Sequence, residues 1–301
     1  VYLQHFGLRE APFALTPNTG FFFALAPHVE ALQVLQTALQ TGEGFIKVTG
    51  EVGTGKTLIL RKLINELPAP LRCAYLPNPC LSPDELRWAL ALELGLKYSA
   101  NIDQQQLTCL IQQQLLALSA HGHSVVLVLD EAQALPDASL ETLRLFTNLE
   151  TESRKLLQVV LFGQPELDER LAEPHLRQLR QRITFSYRLR PLDKQETQAY
   201  LAHRLRVAGY SGESLFDRAA VAALARASRG IPRLINILAH KALMLGYGEG
   251  VLHIGRRQLK VAIADTDDAS RTALPHWLPF VTLASVACVA ALGVWWRGGG
   301  L

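Results

Sequence analysis

The stretch Gly50-Glu51-Val52-Gly53-Thr54-Gly55-Lys56-Thr57 constrains this chain more than any other. It satisfies the pattern G-x-x-x-x-G-K-[ST] in full. The largely apolar run Phe45-Ile46-Lys47-Val48-Thr49 leads into it, and Leu58, Ile59, Leu60, Leu63, Ile64 and Leu67 follow at helical spacing. A strand feeding a glycine-rich loop that opens a helix is the framework of a phosphate-binding site. The glycines let main-chain N–H groups turn inward toward phosphate oxygens, and the helix adds the positive end of its dipole. In such a loop Lys56 reaches the β- and γ-phosphates of a nucleotide and the Thr57 hydroxyl ligates Mg²⁺. The competing reading is a tight turn before an ordinary helix, and the flanking patterns argue against it.

The rest of the first two-thirds alternates strand and helix patterns. Residues 125–129 are apolar at every position and end in Asp130-Glu131; residues 156–162 are nearly so and end in Gly163-Gln164. Continuous apolar runs of this length suit strands of a parallel sheet covered on both faces. Residues 73–76 read as a short buried strand. Helices are expected over 28–41, from Ser82 as N-cap with Pro83 and Glu85 behind it, and over 103–120 with Leu107, Ile111 and Leu115 on one face. The alternation predicts an α/β domain with a doubly wound parallel sheet over residues 1–190, preceded by a turn-rich arm from Phe6 to Asn18. Beyond Pro191 the strand patterns stop. Residues 193–209, 214–229, 232–246 and 255–267 read as helices bounded by Gly, Ser or Pro, which predicts a small all-α lid domain over 191–265.

Several residues then fall into chemical roles. Asp130, at a strand tip, can hold the Mg²⁺ that Thr57 also touches, and Glu131 is placed to take a proton from an attacking water. Gln164 ends the next strand. Ligands in such sheets gather at the carboxyl ends of strands, so Gln164 is expected to face the same crevice and orient that water, unless it is only a turn residue. Arg177, Arg180, Arg182, Arg188 and Arg190 crowd one segment. Permanently charged planar forks suit stabilising a phosphoryl group in transfer, including one bound to a neighbouring subunit; Arg182 is the first candidate and Arg177 the second. A solvated basic face is the alternative. Pro232 in the first turn of its helix fixes where Arg233 points, which allows Arg233 to reach back to the phosphates.

Composition narrows the class. A chain of 301 residues, 49% hydrophobic and 19% charged, has room for two folded domains. Its net charge of +3 does not argue for nucleic acid by itself. The four cysteines form no C-x-x-C pair, so thiols in a reducing compartment are expected rather than disulfides or zinc. No basic stretch followed by an apolar run opens the sequence, so no signal peptide is expected. A polar linker over 266–273 leads to residues 274–296, which contain no Asp, Glu, Lys or Arg. Trp277 and Trp295-Trp296 flank an apolar run long enough to cross a bilayer, so 274–296 is predicted to be a transmembrane helix with a short tail, 297–301, after it. A buried or partner-binding helix is the alternative. ATP is cytoplasmic, which puts the nucleotide domain on that side.

Taken as a set, the motifs resemble a known group. They are Phe-Gly-Leu-x-Glu-x-Pro-Phe (6–13), Gly-Glu-x-Gly-x-Gly-Lys-Thr (50–57), Asp-Glu-Ala-Gln (130–133), Gly-Gln-Pro-Glu-Leu (163–167), Leu-Arg-Gln-Arg-Ile (179–183) and Gly-x-Pro-Arg-x-Ile-Asn (230–236). The set is similar to the ExeA/GspA group of AAA+ ATPases, associated with secretion and type IV pilus assembly, and within it to the branch serving mannose-sensitive haemagglutinin (MSHA) pili. The resemblance covers about residues 1–265. It implies ATP and Mg²⁺ at Lys56, Thr57, Asp130 and Glu131, Gln164 as sensor 1, Arg233 as sensor 2, and an arginine near Arg182 acting in trans. It further implies a ring-like homo-oligomer at the bacterial inner membrane, single-pass, partnered by pilus or secretion assembly proteins of that membrane or of the secretin system. GspA-type proteins continue past their span into a periplasmic peptidoglycan-binding domain; only five residues follow the apolar run here, so any wall contact is expected through a partner. Two other functions compete: a DNA-targeting ATPase of the transposition type, disfavoured by the mild charge and apolar tail, and a nucleotide-gated scaffold with negligible turnover.

Overall fold

A computed structural model describes residues 2–16, 18–77, 80–97, 99, 102–150 and 155–270. After an N-terminal arm the chain forms α1 (Ala26–Thr41), β1 (Phe45–Gly50), α2 (Lys56–Asn65), β2 (Leu71–Leu76), α3 (Pro83–Glu93), α4 (Gln104–Ala120) and β3 (Ser124–Leu129). It continues through α5 (Asp137–Phe146), β4 (Leu157–Gly163), α6 (Pro165–Leu171), α7 (Arg177–Arg182) and β5 (Ile183–Leu189). Then come α8 (Lys194–Val207), α9 (Arg218–Ser228), α10 (Pro232–Gly248), α11 (Arg256–Ala264) and the single turn α12 (Asp267–Ser270).

The strands pair in one all-parallel sheet, ordered β2-β3-β4-β1-β5. Consecutive residues on β1 point to opposite faces, so Phe45 joins Leu127, Leu161, Leu90, Leu107 and Ile111 on one side. Ile46 and Val48 join Val128, Phe162, Leu35 and Ile59 on the other. Both faces are therefore covered, which is why β3 and β4 read as unbroken apolar runs.

Two strands differ from expectation. β2 lies at an edge and is only half-buried, with Arg72 exposed, because it has a partner on one side alone. β5 was not expected as a strand. It forms the opposite edge, and its Ile183, Phe185, Tyr187 and Leu189 alternate with Thr184, Ser186 and Arg188, the period of a strand with one covered face.

The helices after Pro191 build a second core. Each starts on a physical signal. Asp193 closes a capping box with Glu196 at the head of α8, Asp217 caps α9, and Pro232 opens α10. α9 begins later than expected because residues just before it are committed elsewhere: Phe216 bridges Ile254 as extended chain. The expected linker is shorter. Thr266 is buried and donates to Ala262 O (2.8 Å), and Ala269 packs into the helical core, so 266–270 closes this core instead of leaving it. The rest of the expected linker, the predicted transmembrane helix 274–296 and the tail 297–301 lie outside the described residues. Among the described residues no helix is long and apolar enough to cross a membrane.

The arm belongs to this second core, not to the sheet with which the sequence reading grouped it. Tyr2, Phe6, Leu8, Phe13 and Phe21 are buried with Leu205, Phe216, Leu238 and Ile254. Each such aromatic contributes about 1.5–3 kcal/mol by leaving water. Arg204 of α8, only 6% exposed, fastens the arm. Its Nε donates to Pro12 O (2.6 Å), its Nη2 to Ala14 O (3.2 Å), and its guanidinium lies 4.4 Å from the centre of the Phe21 ring. Those bonds offset the desolvation of a buried charge. Where the sheet hands over to α8, Leu192 N–H donates to Gly230 O (2.9 Å). Gly230 is left-handed (φ +74°), and a Cβ there would sit 1.9 Å from Leu192 O.

Candidate functional site

β1 delivers the chain to Gly50, where the loop begins to curl. Gly53 and Gly55 take φ of +83° and +103°, values that favour glycine. The loop ends at the head of α2, whose first N–H groups have no side-chain cap. Free helix amides at the mouth of a curled loop are donors waiting for an anion.

The strand order then assembles the rest. β4 lies between β1 and β3, so Gln164, just past its end, stands between the loop after β1 and the acidic pair after β3. Thr57 Oγ1 donates to Asp130 Oδ2 at 3.0 Å, so those two residues present adjacent oxygens. Lys56 is buried and donates to Gly50 O (2.6 Å) and Glu51 O (3.0 Å). Burial pushes the Lys56 ammonium below its usual pKa, against the pull of Glu131 and Asp130. Burial likewise raises the Asp130 carboxyl, opposed by the Thr57 bond.

Glu131 behaves differently. Burial pushes its pKa up, but hydrogen bonds from Gln133 and Gln164 and the Lys56 charge outweigh burial and hold it below its usual value. Gln133 Nε2 and Gln164 Nε2 both donate to Glu131 Oε2, at 2.6 and 2.9 Å. Gln133 Oε1 in turn accepts the Gln164 main-chain N–H at 3.0 Å. The result is an ionised carboxylate with one oxygen held and the other available. Glu131 itself is left-handed (φ +52°), an uncommon state for a residue with a side chain and one that re-aims it out of the strand direction.

The helical core supplies the opposite wall. Arg233, second residue of α10, donates its N–H to Gly53 O (3.1 Å), and a Cβ on Gly53 would lie 2.5 Å from the Arg233 Cβ. A cleft of about 350 Å³ runs between the loop, Glu131, Arg233, Tyr200 and arm residues around Leu15. So Gly50 through Thr57, Asp130, Glu131, Gln164 and Arg233 come together in space.

Arg182 and Arg177 do not join them. Arg182 ends α7 immediately before Ile183, and Ile183 pairs with Phe45 at the far end of β1 from the loop. A strand of that length spans roughly 20 Å. Arg190 also stays away, forked onto Glu196 at 2.7 and 2.8 Å. Two participants escaped the sequence reading. Gln133 lies inside the Asp-Glu-Ala-Gln motif, but nothing local announces its bond to Glu131. His28 of α1 reaches the loop at Thr54 O (3.0 Å) with no motif at all.

The donor set suits a magnesium nucleotide. A hydroxyl and a carboxylate side by side are the all-oxygen ligands a hard cation takes, and inward amides with one ammonium match a chain of phosphates.

Comparisons with known proteins agree. An AAA domain family model matches residues 39–171. General secretion pathway protein A of Aeromonas hydrophila is 46% identical over 250 residues, covering 83% of this chain and 46% of that protein. The chain thus spans about half the length of this relative. Among solved structures, Cdc6p from Pyrobaculum aerophilum aligns with a TM-score of 0.63 at 20% identity, covering 82% of this chain and 70% of that one. Drosophila ORC bound to DNA aligns with a TM-score of 0.63 at 20% identity, covering 88% and 66%. At such identities the two structures speak for the fold alone.

Fold and site together define a P-loop protein of the AAA class. Its likeness to the Aeromonas protein is far above that to the structural neighbours, and the chain belongs with the GspA-type ATPases.

Proposed function

We propose that the protein is a membrane-tethered, ring-forming AAA+ ATPase whose ATP cycle supports assembly of an MSHA-type (type IV) pilus or a related secretion machine. The observation that carries the catalytic part is the convergence on one cleft of Lys56, the Thr57–Asp130 pair and a Glu131 carboxylate held by Gln164. In this reading the loop amides and Lys56 would grip the phosphates, and Thr57 and Asp130 would hold Mg²⁺, which would supply charge neutralisation at the phosphates. Glu131 takes the proton of the attacking water, and Gln164 fixes both that carboxylate and the water. Arg233 reports nucleotide state to the helical core.

Arg182, at the far end of the sheet from its own loop, suits action on a nucleotide held by a neighbouring copy. That assignment motivates the ring. Mixing Lys56→Ala with Arg182→Ala tests it: each alone is expected to be inactive, and a mixed ring regains activity at interfaces that pair an intact loop with an intact arginine. Absence of any recovery in co-assembled mixtures counts against the trans role.

The secretion direction draws support from the GspA relative, the pilus direction from the resemblance of the motifs, and the tether from residues 277–296, long and apolar enough for a bilayer. Cross-linking pull-downs from membranes, wild type against Glu131→Gln, test the partners. Inner-membrane pilus or secretion components are expected with the ATP-trapped variant; their absence sinks the assembly role. A DNA-targeting reading predicts tight, salt-sensitive DNA binding by the purified protein, and none is expected.

A further inference from the structure

His28 is a polar side chain in an apolar setting, 4% exposed, with no part in the chemistry described above. It is the third residue of α1 and is not among the residues lining the cleft. Its Nε2 lies 3.0 Å from Thr54 O, and a carbonyl can only accept, so Nε2 carries the hydrogen and donates. The ring also closes the space beside Gly55, where a Cβ would meet Nε2 at 3.1 Å. The Phe22 ring lies beside it, tilted, with centroids 6.2 Å apart.

That single bond has a geometric consequence. The Thr54–Gly55 peptide is planar and trans, so its C=O and N–H point in opposite directions. Drawing the Thr54 carbonyl outward toward α1 turns the Gly55 N–H away from α1, to the inner side of the loop. The preceding peptide is held as well, by Arg233 N–H on Gly53 O at 3.1 Å. Without an outside donor, the Thr54 carbonyl would be free to rotate inward and present a negative oxygen to a phosphate.

We propose that His28 is a positioning residue of the phosphate loop: it anchors the Thr54 carbonyl outward and so fixes the Gly55 N–H for phosphate. The proposal rests on reading the cleft as the nucleotide site. It predicts an effect on nucleotide affinity, not on the chemical step, because His28 reaches neither Glu131 nor Asp130.

The test is binding of ATPγS with Mg²⁺ to the full chain in detergent, together with steady-state ATP hydrolysis. His28→Phe keeps a ring and removes the donor; His28→Gln keeps a donor of similar reach. The Phe variant is expected to weaken Kd and raise KM about tenfold, with kcat at saturation within about twofold of wild type, and the Gln variant to stay within about threefold throughout. Thermal melting checks folding, and if His28→Phe does not fold, His28→Leu against His28→Asn is read the same way. Wild-type affinity in the apolar variant overturns the proposal, as does an equal loss in apolar and amide variants. Lys56→Ala separates the two levels: if it binds like wild type, the nucleotide reading of the cleft fails; if it loses binding while His28→Phe does not, only this inference fails.

Discussion

Glu131 and Gln164 follow the ends of two adjacent strands, 33 positions apart in sequence, and meet through one hydrogen bond of 2.9 Å. The strand order alone makes this meeting possible, because β4 is threaded between the strand before the loop and the strand before the acidic pair. Removing either end has a distinct expected outcome. Glu131→Gln should bind ATP normally and hydrolyse it at least about a hundredfold more slowly, since it loses the base and keeps the loop. Gln164→Ala should lower kcat by about tenfold with little change in KM, the signature of an interaction made mainly in the transition state. Steady-state kinetics with a binding titration separates the two.

Gln133 shares the same Glu131 oxygen at a shorter distance, 2.6 Å. Gln133→Ala is therefore expected to loosen Glu131 and slow turnover by about tenfold while leaving nucleotide affinity near wild type. An unchanged kcat in this variant would remove Gln133 from the catalytic arrangement.

Lys56→Ala should abolish nucleotide binding. The ammonium is buried, so the site loses its only buried side-chain cation among the loop residues, and the Gly50 and Glu51 carbonyls lose their shared donor. Equilibrium titration with Mg²⁺ and ATPγS checks this, and the expected fall is at least about a hundredfold.

The chain's phosphate loop, its acidic pair, Gln164 and Arg233 were legible because each sits in a contiguous motif or at the tip of an apolar strand. β5 was obscured by the arginines in and beside it: the charges of Arg182, Arg188 and Arg190 mask the alternation of Ile183, Phe185, Tyr187 and Leu189. The arm's place in the helical core was not legible. Phe6 and Phe13 show no period, and their partners Ile254 and Phe216 lie more than two hundred residues downstream. The same applies to His28, whose partner is a main-chain carbonyl that sequence does not mark.

Gly230→Ala should destabilise the join between sheet and helical core. The added Cβ would meet Leu192 O at 1.9 Å in a left-handed conformation, so the Leu192–Gly230 bond has to open. A loss of about 3 kcal/mol is expected, read as a lower Tm, with weakened nucleotide binding because Arg233 follows three residues later.

Glu196 gives a pH test away from the cleft. The Arg190 fork, then the Asp193 main-chain bond, hold its carboxyl below the usual value of 4.5, in spite of burial. A depressed carboxyl stabilises the fold above its unfolded pKa and loses that contribution as pH falls through the folded one. Glu196→Gln is therefore expected to cost about 1 kcal/mol at pH 7, and the two proteins should converge as pH falls through the depressed folded value. Melting curves across that range decide it; a gap that persists at acid pH would show the carboxylate's charge is not the cause.

Because Tyr2, Phe6, Leu8, Phe13 and Phe21 are sunk in the helical core, the polypeptide enters that body twice, once through the stretch before α1 and once through the stretch after β5. Two tethers define an axis. A unit fastened at two points swings about the line joining them far more readily than it slides, so any opening of the cleft takes the form of a door turning on a pair of pins. The arm travels with the door, and α1, continuous with the arm, takes up the twist at the frame.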